Sequence, residues 1–467
     1  MKEKIVYFIT GSQDLYGEET LKQVYSDSVK MVDFINSREE NPVTVKFLGI
    51  GKNSSQITKM IKQVNYEDDC IGVTVWCHTF SPAKMWINGL KQLTKPMLHL
   101  HTQFNEKLPY ADIDMDFMNL NQSAHGDREF GHICARLGIV RKVVSGYYAD
   151  EDVLAEMFGY FRLMAVKRYG EELKVVRFGD NMRNVSVTDG DKVSAQIKFG
   201  FAVDYYPIGE LAETAEAVSD ECVEKKFGEY AEKYTLNTEN TDAVREQIRY
   251  ELGLREFLNE KGACAFTTNF EDLKGLNQLP GMAVQNLMRE GVGFGAEGDW
   301  KTAAFDAMLK YGAADKPGAT AFIEDYTYDL TAGRELELGS HMLEVDPSFA
   351  TGEIKIEVHE LGIGGKNPPA RLVFDSVTGD AIAVSVVDMG DSFKLIVQKL
   401  ELVTPPEKMP NLPVAKIMWK LFPDFKEATR RWIEEGGAHH TVLTNQYTAK
   451  DMEDLAKIYG IPCVVIG

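Results

Sequence analysis

The residues of this sequence best suited to chemistry are two glutamates and three histidines. Glu297 lies in the glycine-rich segment GFGAEGDWKTAAF, and Glu324 lies in TAFIEDYTYDL. His341 lies in LGSHMLEV, and the pair His439 and His440 follows two glycines in EGGAHHTV. Two carboxylates with two imidazoles form a mixed ligand set that suits a six-coordinate divalent metal such as Mn²⁺. Because these segments are far apart in sequence, spacing leaves the alternative open that they are ordinary exposed carboxylates and hydrogen-bonded histidines.

The segment around Glu324 has the period of a β-strand. Phe322, Glu324, Tyr326 and Tyr328 alternate with other residues, which predicts that Glu324 shares one strand face with both tyrosines. A glutamate on a half-buried strand face is costly unless it is paired or bound to a metal. The strand therefore favours a function for Glu324.

Further polar side chains cluster where strands of the first half are predicted to end. His78 follows the apolar run Ile71–Trp76, and His99 and His101 lie at the next predicted strand end. The segments MNLNQSAHGDREFG and RFGDNMR add amides, an imidazole and charged groups. Residues just past the carboxyl ends of parallel strands line the crevice in which such folds bind ligands. These clusters predict a site for a neutral polyhydroxylated ligand, against the alternative that each only stabilises its own loop.

Apolar periodicity predicts the elements that position these residues. In the first third of the chain, short apolar runs alternate with helical stretches, which is typical of a parallel sheet with crossover helices. The pattern restarts at Leu173–Phe178, after the helical stretch Asp152–Tyr169. Beyond about residue 320, strands rich in Val and Ile follow one another without helices, which favours an antiparallel sheet or barrel. A last helix is predicted between Thr448 as N-cap and Gly460 as its stop.

We therefore predict an α/β fold with three domains. Residues 1–170 and 171–318 are expected to form two Rossmann-like domains with parallel sheets, followed by a mostly antiparallel β-barrel domain at residues 319–467. The predicted strands are Ile5–Thr10, Val45–Gly49, Ile71–Trp76, Met97–His101, Val140–Val144, Leu173–Phe178, Ile354–Val358, Arg371–Phe374, Ala381–Val387 and Phe393–Leu402.

Composition excludes several classes of protein. The 467 residues carry a net charge of −20, and so acidic a surface repels nucleic-acid phosphates and anionic membranes. The first strand-to-helix loop, GSQDLYG, lacks the G-x-G-x-x-G spacing, which counts against a dinucleotide enzyme. The six cysteines are scattered and are expected to be free, buried thiols. With no signal peptide or membrane helix recognised, we expect a soluble, cytoplasmic protein.

Together, motifs along nearly the whole chain resemble the L-arabinose isomerase family. The matching segments, in order, are GSQDLYGEETL, WCHTFSPAKMWINGL, HTQFN, DMDFMNLNQSAHGDREFG, RFGDNMR, VTDGDKV, FTTNFEDL, QLPGMAVQ, AEGDWKTA, EDYTY, LGSHMLEV, LGIGGK and GGAHHTV. The resemblance implies isomerisation of L-arabinose to L-ribulose, an L-fucose isomerase-like architecture and assembly into hexamers. It also implies one Mn²⁺ per subunit, with Co²⁺ or Mg²⁺ as substitutes.

The resemblance assigns roles to particular residues. It implies that Glu297, Glu324, His341 and His440 bind the metal, and that the two glutamates are also the catalytic acid and base. By the same resemblance, the residues expected to contact the sugar are Gln13, Leu15, His125, Met182, Phe270 and Ile363.

Three departures from the family pattern leave the substrate preference open. Asp14 stands where the family usually has His, and Asp329 and Leu330 stand where it usually has His-Phe. The family also typically continues about two dozen residues beyond the final CVVI strand. The alternatives are isomerisation of another sugar, such as L-fucose or D-galactose, and a non-catalytic sugar-binding protein built from two α/β domains.

Overall fold

The computed structural model describes residues 4–362 and 365–467. The chain divides into two compact units, Met1–Arg168 and Tyr169–Gly467, and each is described by itself.

The first unit contains a parallel five-stranded sheet in the order β2-β1-β3-β4-β5. Its central strands, β1 and β3, are buried along their whole length, which explains why they read as continuous apolar runs in the sequence. The strands are β1 (Ile5–Gly11), β2 (Thr44–Gly51), β3 (Cys70–Cys77), β4 (Met97–His101) and β5 (Arg141–Ser145). The helices are α1 (Gly17–Asn36), α2 (Ser54–Tyr66), α3 (Ile87–Leu90), α4 (Met115–Leu120), α5 (Ser123–Arg136) and α6 (Glu151–Gly170).

The second unit begins with another parallel sheet. Its strands are β6 (Lys174–Phe178), β7 (Ala202–Tyr206), β9 (Ala265–Thr267) and β10 (Gly293–Gly295), in the order β10-β9-β6-β7, and the two-residue strand β8 (Thr235–Leu236) lies between β7 and β9 in sequence. The helices of this region are α7 (Lys192–Phe199), α8 (Ile208–Glu216), α9 (Asp220–Lys233), α10 (Thr241–Lys261), α11 (Gly281–Arg289) and α12 (Trp300–Gly312).

The remainder of the second unit is built around a closed antiparallel barrel. Six strands pair in the order β15-β18-β11-β12-β17-β16, and pairing of β15 with β16 closes the ring. Strand β19 adds to β16 in parallel, and β13, β14 and β8 form a separate three-stranded sheet. The strands are β11 (Thr320–Asp329), β12 (Leu336–Ser340), β13 (Ala350–Val358), β14 (Ala370–Ser376), β15 (Gly379–Asp388), β16 (Phe393–Val403), β17 (Ile417–Leu421), β18 (His440–Thr444) and β19 (Cys463–Ile466), and the helices are α13 (Phe425–Glu434) and α14 (Ala449–Tyr459).

The predicted fold class is confirmed by two parallel α/β sheets followed by an antiparallel barrel. The last helix is also as predicted, because Thr448 forms a capping box with Asp451 and Gly460 ends α14 in the left-handed region at φ 61°. The prediction of buried thiols is only partly right. All six cysteines are free, but Cys222 and Cys264 are exposed. No helix in the described part of the chain has the length and hydropathy to cross a bilayer.

Candidate metal centre

Strand pairing in the barrel brings three of the candidate ligands to one place. Strand β11 lies between β12 and β18, and Glu324 is paired with Ser340 on one side and with His440 on the other. His341 follows Ser340 at the end of β12. Glu297 comes from the short loop between β10 and α12.

The four ligands predicted by the resemblance lie in two close carboxylate–imidazole pairs. Glu324 Oε2 is 3.8 Å from His341 Nε2, and Glu297 Oε2 is 3.9 Å from His440 Nε2. The centroids of the two imidazole rings are 6.2 Å apart, and the rings are nearly perpendicular. Each ring also makes an edge-to-face contact with the ring of Phe322, with centroids about 5 Å apart. Both histidine side chains are fully buried, whereas Glu324 and Glu297 keep 18% and 11% of their side-chain surface exposed. The cluster is therefore reached from its carboxylate side.

The two buried imidazoles have the hydrogen-bonding pattern of metal ligands. Nδ1 of His341 bonds to Glu344, and Nδ1 of His440 lies 3.2 Å from Asp299 Oδ2. Nε2 of each ring is buried and has no hydrogen-bond partner among the described residues. A buried polar nitrogen without a partner is costly, and a carboxylate on Nδ1 leaves the lone pair of Nε2 free to bind a metal. The donors present therefore fit a divalent metal ion.

His439 also belongs to the cluster. Its Nε2 is 3.5 Å from Glu297 Oε2, and its side chain keeps 36% of its surface exposed. Among the described residues, Glu297, His439 and His440 offer ligand atoms that all lie within 4.8 Å of one another. His439 is therefore close enough to Glu297 and His440 to take part in binding a metal ion.

The loop that carries Glu297 has an unusual backbone. Glu297 adopts φ 59°, in the left-handed region that non-glycine residues rarely occupy, and Gly298 follows at φ 83°. The Glu297 carbonyl accepts a hydrogen bond from the Met182 N–H at 3.0 Å, and the Gly298 N–H donates to Thr268. Left-handed backbone at a non-glycine residue is held only by its surroundings and clusters at functional sites.

Electrostatics keep the two acids near His440 ionised. Burial alone would raise the pKa of Glu297, but the hydrogen bond from His439 and the nearby ring of His440 hold that pKa below its usual value. Burial would likewise raise the pKa of Asp299, but Lys301 and His440 hold it well below its usual value. The loop thus presents two carboxylates toward the imidazole of His440.

Two of the residues expected to contact the sugar lie beside the candidate ligands. Phe270 stacks on the His341 ring with centroids 5.8 Å apart, and Met182 bonds through its backbone to Glu297. Gln13, Leu15 and His125 lie in the first unit, where the Leu15 side chain is 81% exposed and His125 stacks on Phe80. Ile363 lies outside the described residues.

The histidines at the strand ends of the first unit are held by buried aspartates. His78 lies 3.0 Å from Asp27, and Asp127 bonds to His99 at 2.9 Å and to His101 at 2.7 Å. These contacts agree with the alternative that the clusters stabilise their own loops.

One prediction about the site is wrong. Tyr328 does not share the face of Glu324, because the pairing of β11 with β12 shifts by one residue between Asp325 and Thr327. Such a bulge reverses the alternation beyond it. Tyr328 and Asp325 consequently line the same small cavity, whose lining includes none of the candidate ligands described.

Sequence reasoning also missed the two acids that hold the imidazoles. Asp299 is two residues after Glu297, and Glu344 is three residues after His341. A metal-binding histidine nearly always donates its other N–H to an oxygen acceptor. An acidic residue close in sequence to a candidate ligand was therefore the feature that could have predicted Asp299 and Glu344.

Parallel α/β sheets, a closed barrel and a buried carboxylate–imidazole cluster together define an α/β and barrel protein with a candidate divalent-metal centre. Comparison with known proteins gives the family. Residues 1–170, 174–315 and 319–462 match the family models of the L-arabinose isomerase N-terminal, central and C-terminal domains.

Individual relatives match over nearly the full length. The chain is 54% identical over 466 residues to a protein from Halalkalibacterium halodurans named L-arabinose isomerase, with 98% of this chain and 93% of the relative covered. A protein of the same name from Thermotoga petrophila is 50% identical over 468 residues, covering 100% and 94% of the two chains. The chain belongs to the L-arabinose isomerase family and is thus an isomerase.

Proposed function

We propose that this enzyme interconverts L-arabinose and L-ribulose and that Glu297, Glu324, His341 and His440 bind the divalent metal it uses. One observation supports the metal site: the Nε2 atoms of His341 and His440 are buried, lie beside two carboxylates and lack hydrogen-bond partners in the part of the chain that the structure describes. Family membership and the names of the relatives support the substrate.

The reaction moves one proton between adjacent sugar carbons and another between their oxygens. When bound, a divalent ion stabilises the negative charge that develops on these oxygens. Glu297 and Glu324 serve as base and acid and exchange these roles in the reverse direction. Their placement on a loop and on a strand, each beside a different imidazole, supports this division of roles. Phe270, stacked on His341, supplies an apolar wall that excludes water from this side.

The resemblance supplies further parts of the proposal. The metal is Mn²⁺, one per subunit, with Co²⁺ or Mg²⁺ as substitutes, and D-galactose is a second substrate. Gln13, Leu15, His125, Met182, Phe270 and Ile363 contact the sugar. The subunits form hexamers in the cytoplasm, and the chain has domains at residues 1–170, 171–318 and 319–467. The boundaries of the three matched family models support this division.

Metal removal tests the proposal directly. Chelation followed by dialysis should abolish L-ribulose formation, and Mn²⁺ should restore it better than Ca²⁺. The reason is that imidazole ligands suit Mn²⁺ and all-oxygen sites suit Ca²⁺. Full activity of a protein shown by elemental analysis to be metal-free would refute the metal site. Absence of ketose formation with every metal would instead refute the substrate.

A further inference from the structure

A buried lysine lies directly behind the metal ligand His440. Lys301, in the first turn of α12, is 1% exposed, and its Nζ is 3.3 Å from Asp299 Oδ1. The other carboxylate oxygen of Asp299 faces His440 Nδ1 at 3.2 Å. Asp299 therefore links the ammonium group of Lys301 to the imidazole of His440.

The same ammonium group also holds the loop that follows β6. Lys301 Nζ donates to the carbonyl oxygens of Thr188 at 2.8 Å and Asp189 at 2.7 Å. Together with the ion pair to Asp299, these two hydrogen bonds give Nζ three polar contacts.

That loop carries Met182 and reaches the metal site at a second point. Asn181 Nδ2 donates to Thr188 O at 2.7 Å and to Gly298 O at 2.9 Å. The Met182 N–H donates to the carbonyl of Glu297. Two hydrogen bonds, from Asn181 to Gly298 and from Met182 to Glu297, thus join this loop to the turn that carries Glu297.

We propose that Lys301 is a positioning residue that fixes the metal ligand His440, through Asp299, and the loop that carries Met182 in one arrangement. The inference rests on the proposed function, because it assumes that His440 binds metal and that Met182 contacts the sugar. In this proposal Lys301 itself contacts neither the metal nor the sugar. Its effect is to make metal affinity and sugar affinity depend on one buried side chain.

If Lys301 only stabilised the fold, removal of another buried, paired lysine of α12 should have the same effect. Lys310 is also nearly buried in α12, and it pairs with Asp346 at 2.8 Å and Asp306 at 3.2 Å. It also donates to the Met288 carbonyl at 2.9 Å, and its described partners Met288, Asp306 and Asp346 are not among the candidate metal ligands. Lys310→Met is therefore a matched control for the loss of a buried, paired ammonium group.

The first experiment compares Lys301→Met with Lys310→Met. Mn²⁺ affinity is measured by calorimetry on metal-free protein, and KM for L-arabinose is measured at saturating Mn²⁺. Lys301→Met should weaken Mn²⁺ binding about 10-fold, the usual effect of losing a group that supports a ligand. It should also raise KM several-fold, whereas Lys310→Met should leave both values close to those of the wild type. Equal Mn²⁺ affinity of Lys301→Met and wild type would overturn the inference.

A double variant keeps the test decisive if Lys301→Met does not fold. Removing both charges of a buried pair is better tolerated than removing one. The Lys301→Met/Asp299→Asn protein should lose no more Mn²⁺ affinity than Asp299→Asn alone, because Lys301 acts on His440 through Asp299. At saturating Mn²⁺ it should still show a raised KM, because the bonds of Lys301 to Thr188 and Asp189 are lost as well. A normal KM in the double variant would refute the loop contact. Failure of the wild type to bind Mn²⁺ would refute the proposed function instead.

Discussion

Glu324 and His440 lie directly opposite each other on the antiparallel strands β11 and β18. Residues paired in this way project from the same face of a sheet. The next residue, Asp325, lines the small cavity with Tyr328 and not the cluster of proposed metal ligands. A slip of one residue in this register would exchange Glu324 and Asp325, so the proposed metal centre depends on the strand pairing of the barrel.

The histidines should differ in their effect on metal binding. His341→Ala and His440→Ala should each weaken Mn²⁺ binding by at least ~10-fold, because both Nε2 atoms are buried and have no hydrogen-bond partner in residues 4–362 and 365–467. His439→Ala should be milder, because His439 is partly exposed and bonds to Glu297. Calorimetry with metal-free protein measures these affinities. His359, which pairs with Glu357 at 2.7 Å, offers a control whose substitution by Ala should have no effect. A larger loss from His439→Ala than from His440→Ala would reverse the assignment.

Glu344 should matter to the metal without touching it. Its buried carboxylate accepts from His341 Nδ1 and from the Leu343 N–H. Glu344→Gln removes the charge that fixes the orientation of this ring, so Mn²⁺ affinity should fall ~10–100-fold. The same titration on the variant measures the loss. An unchanged affinity would mean that packing against Phe270 and Phe322 is enough to orient the ring.

The route of the transferred hydrogen should reveal the role of Glu324. A carboxylate base exchanges its captured proton with water, so L-arabinose turned over in D₂O should gain deuterium at the transferred carbon. Glu324→Gln keeps one ligand oxygen but removes the base, and should reduce turnover at least ~100-fold. Mass spectrometry and a ketose assay measure the two effects. Full retention of hydrogen together with an active variant would show that the carboxylates only bind metal.

The stability of the barrel should depend on the charge of Glu337. This residue is 5% exposed, accepts from Trp419 Nε1 at 2.9 Å and shares a cavity of about 30 Å³ with Asp325. Burial raises its pKa to about 7, although bonds from Trp419 and Tyr328 oppose this shift. Among the described residues that line the cavity, none is basic.

The sign of this effect follows from linkage. Because the pKa is raised in the folded state, the proton stabilises the fold fully below the unfolded pKa near ~4.3, and this stability is lost as pH rises through about 7. Glu337→Gln has no carboxyl group to titrate, so its free energy of unfolding should not fall in this way. Relative to the wild type, its free energy of unfolding should rise by up to roughly 3 kcal/mol between about pH 5 and pH 8. Urea unfolding of both proteins at these pH values measures the difference. A constant difference would show that Glu337 is ionised throughout.

Local patterns in the sequence predicted much of the fold. The buried runs of β1 and β3 and the cap residues Thr448 and Gly460 are features of neighbouring residues, and all appear where predicted. The change to closely spaced strands after about residue 320 predicted the barrel as a class. It did not give the order of its strands: Ile354–Val358 and Arg371–Phe374 lie in the separate three-stranded sheet.

The sequence by itself determined the residue types of the proposed metal centre and, through its motifs, the family. Only the tertiary structure decided which groups meet. Asp299 and His440 are 141 residues apart in sequence, and Asn181 and Gly298 are 117 apart, yet each pair is in hydrogen-bond contact. Periodicity and capping act within a few residues, whereas such contacts depend on strand register and on the closure of the barrel. For the same reason the bulge that turns Tyr328 away from Glu324 was not evident from strict alternation.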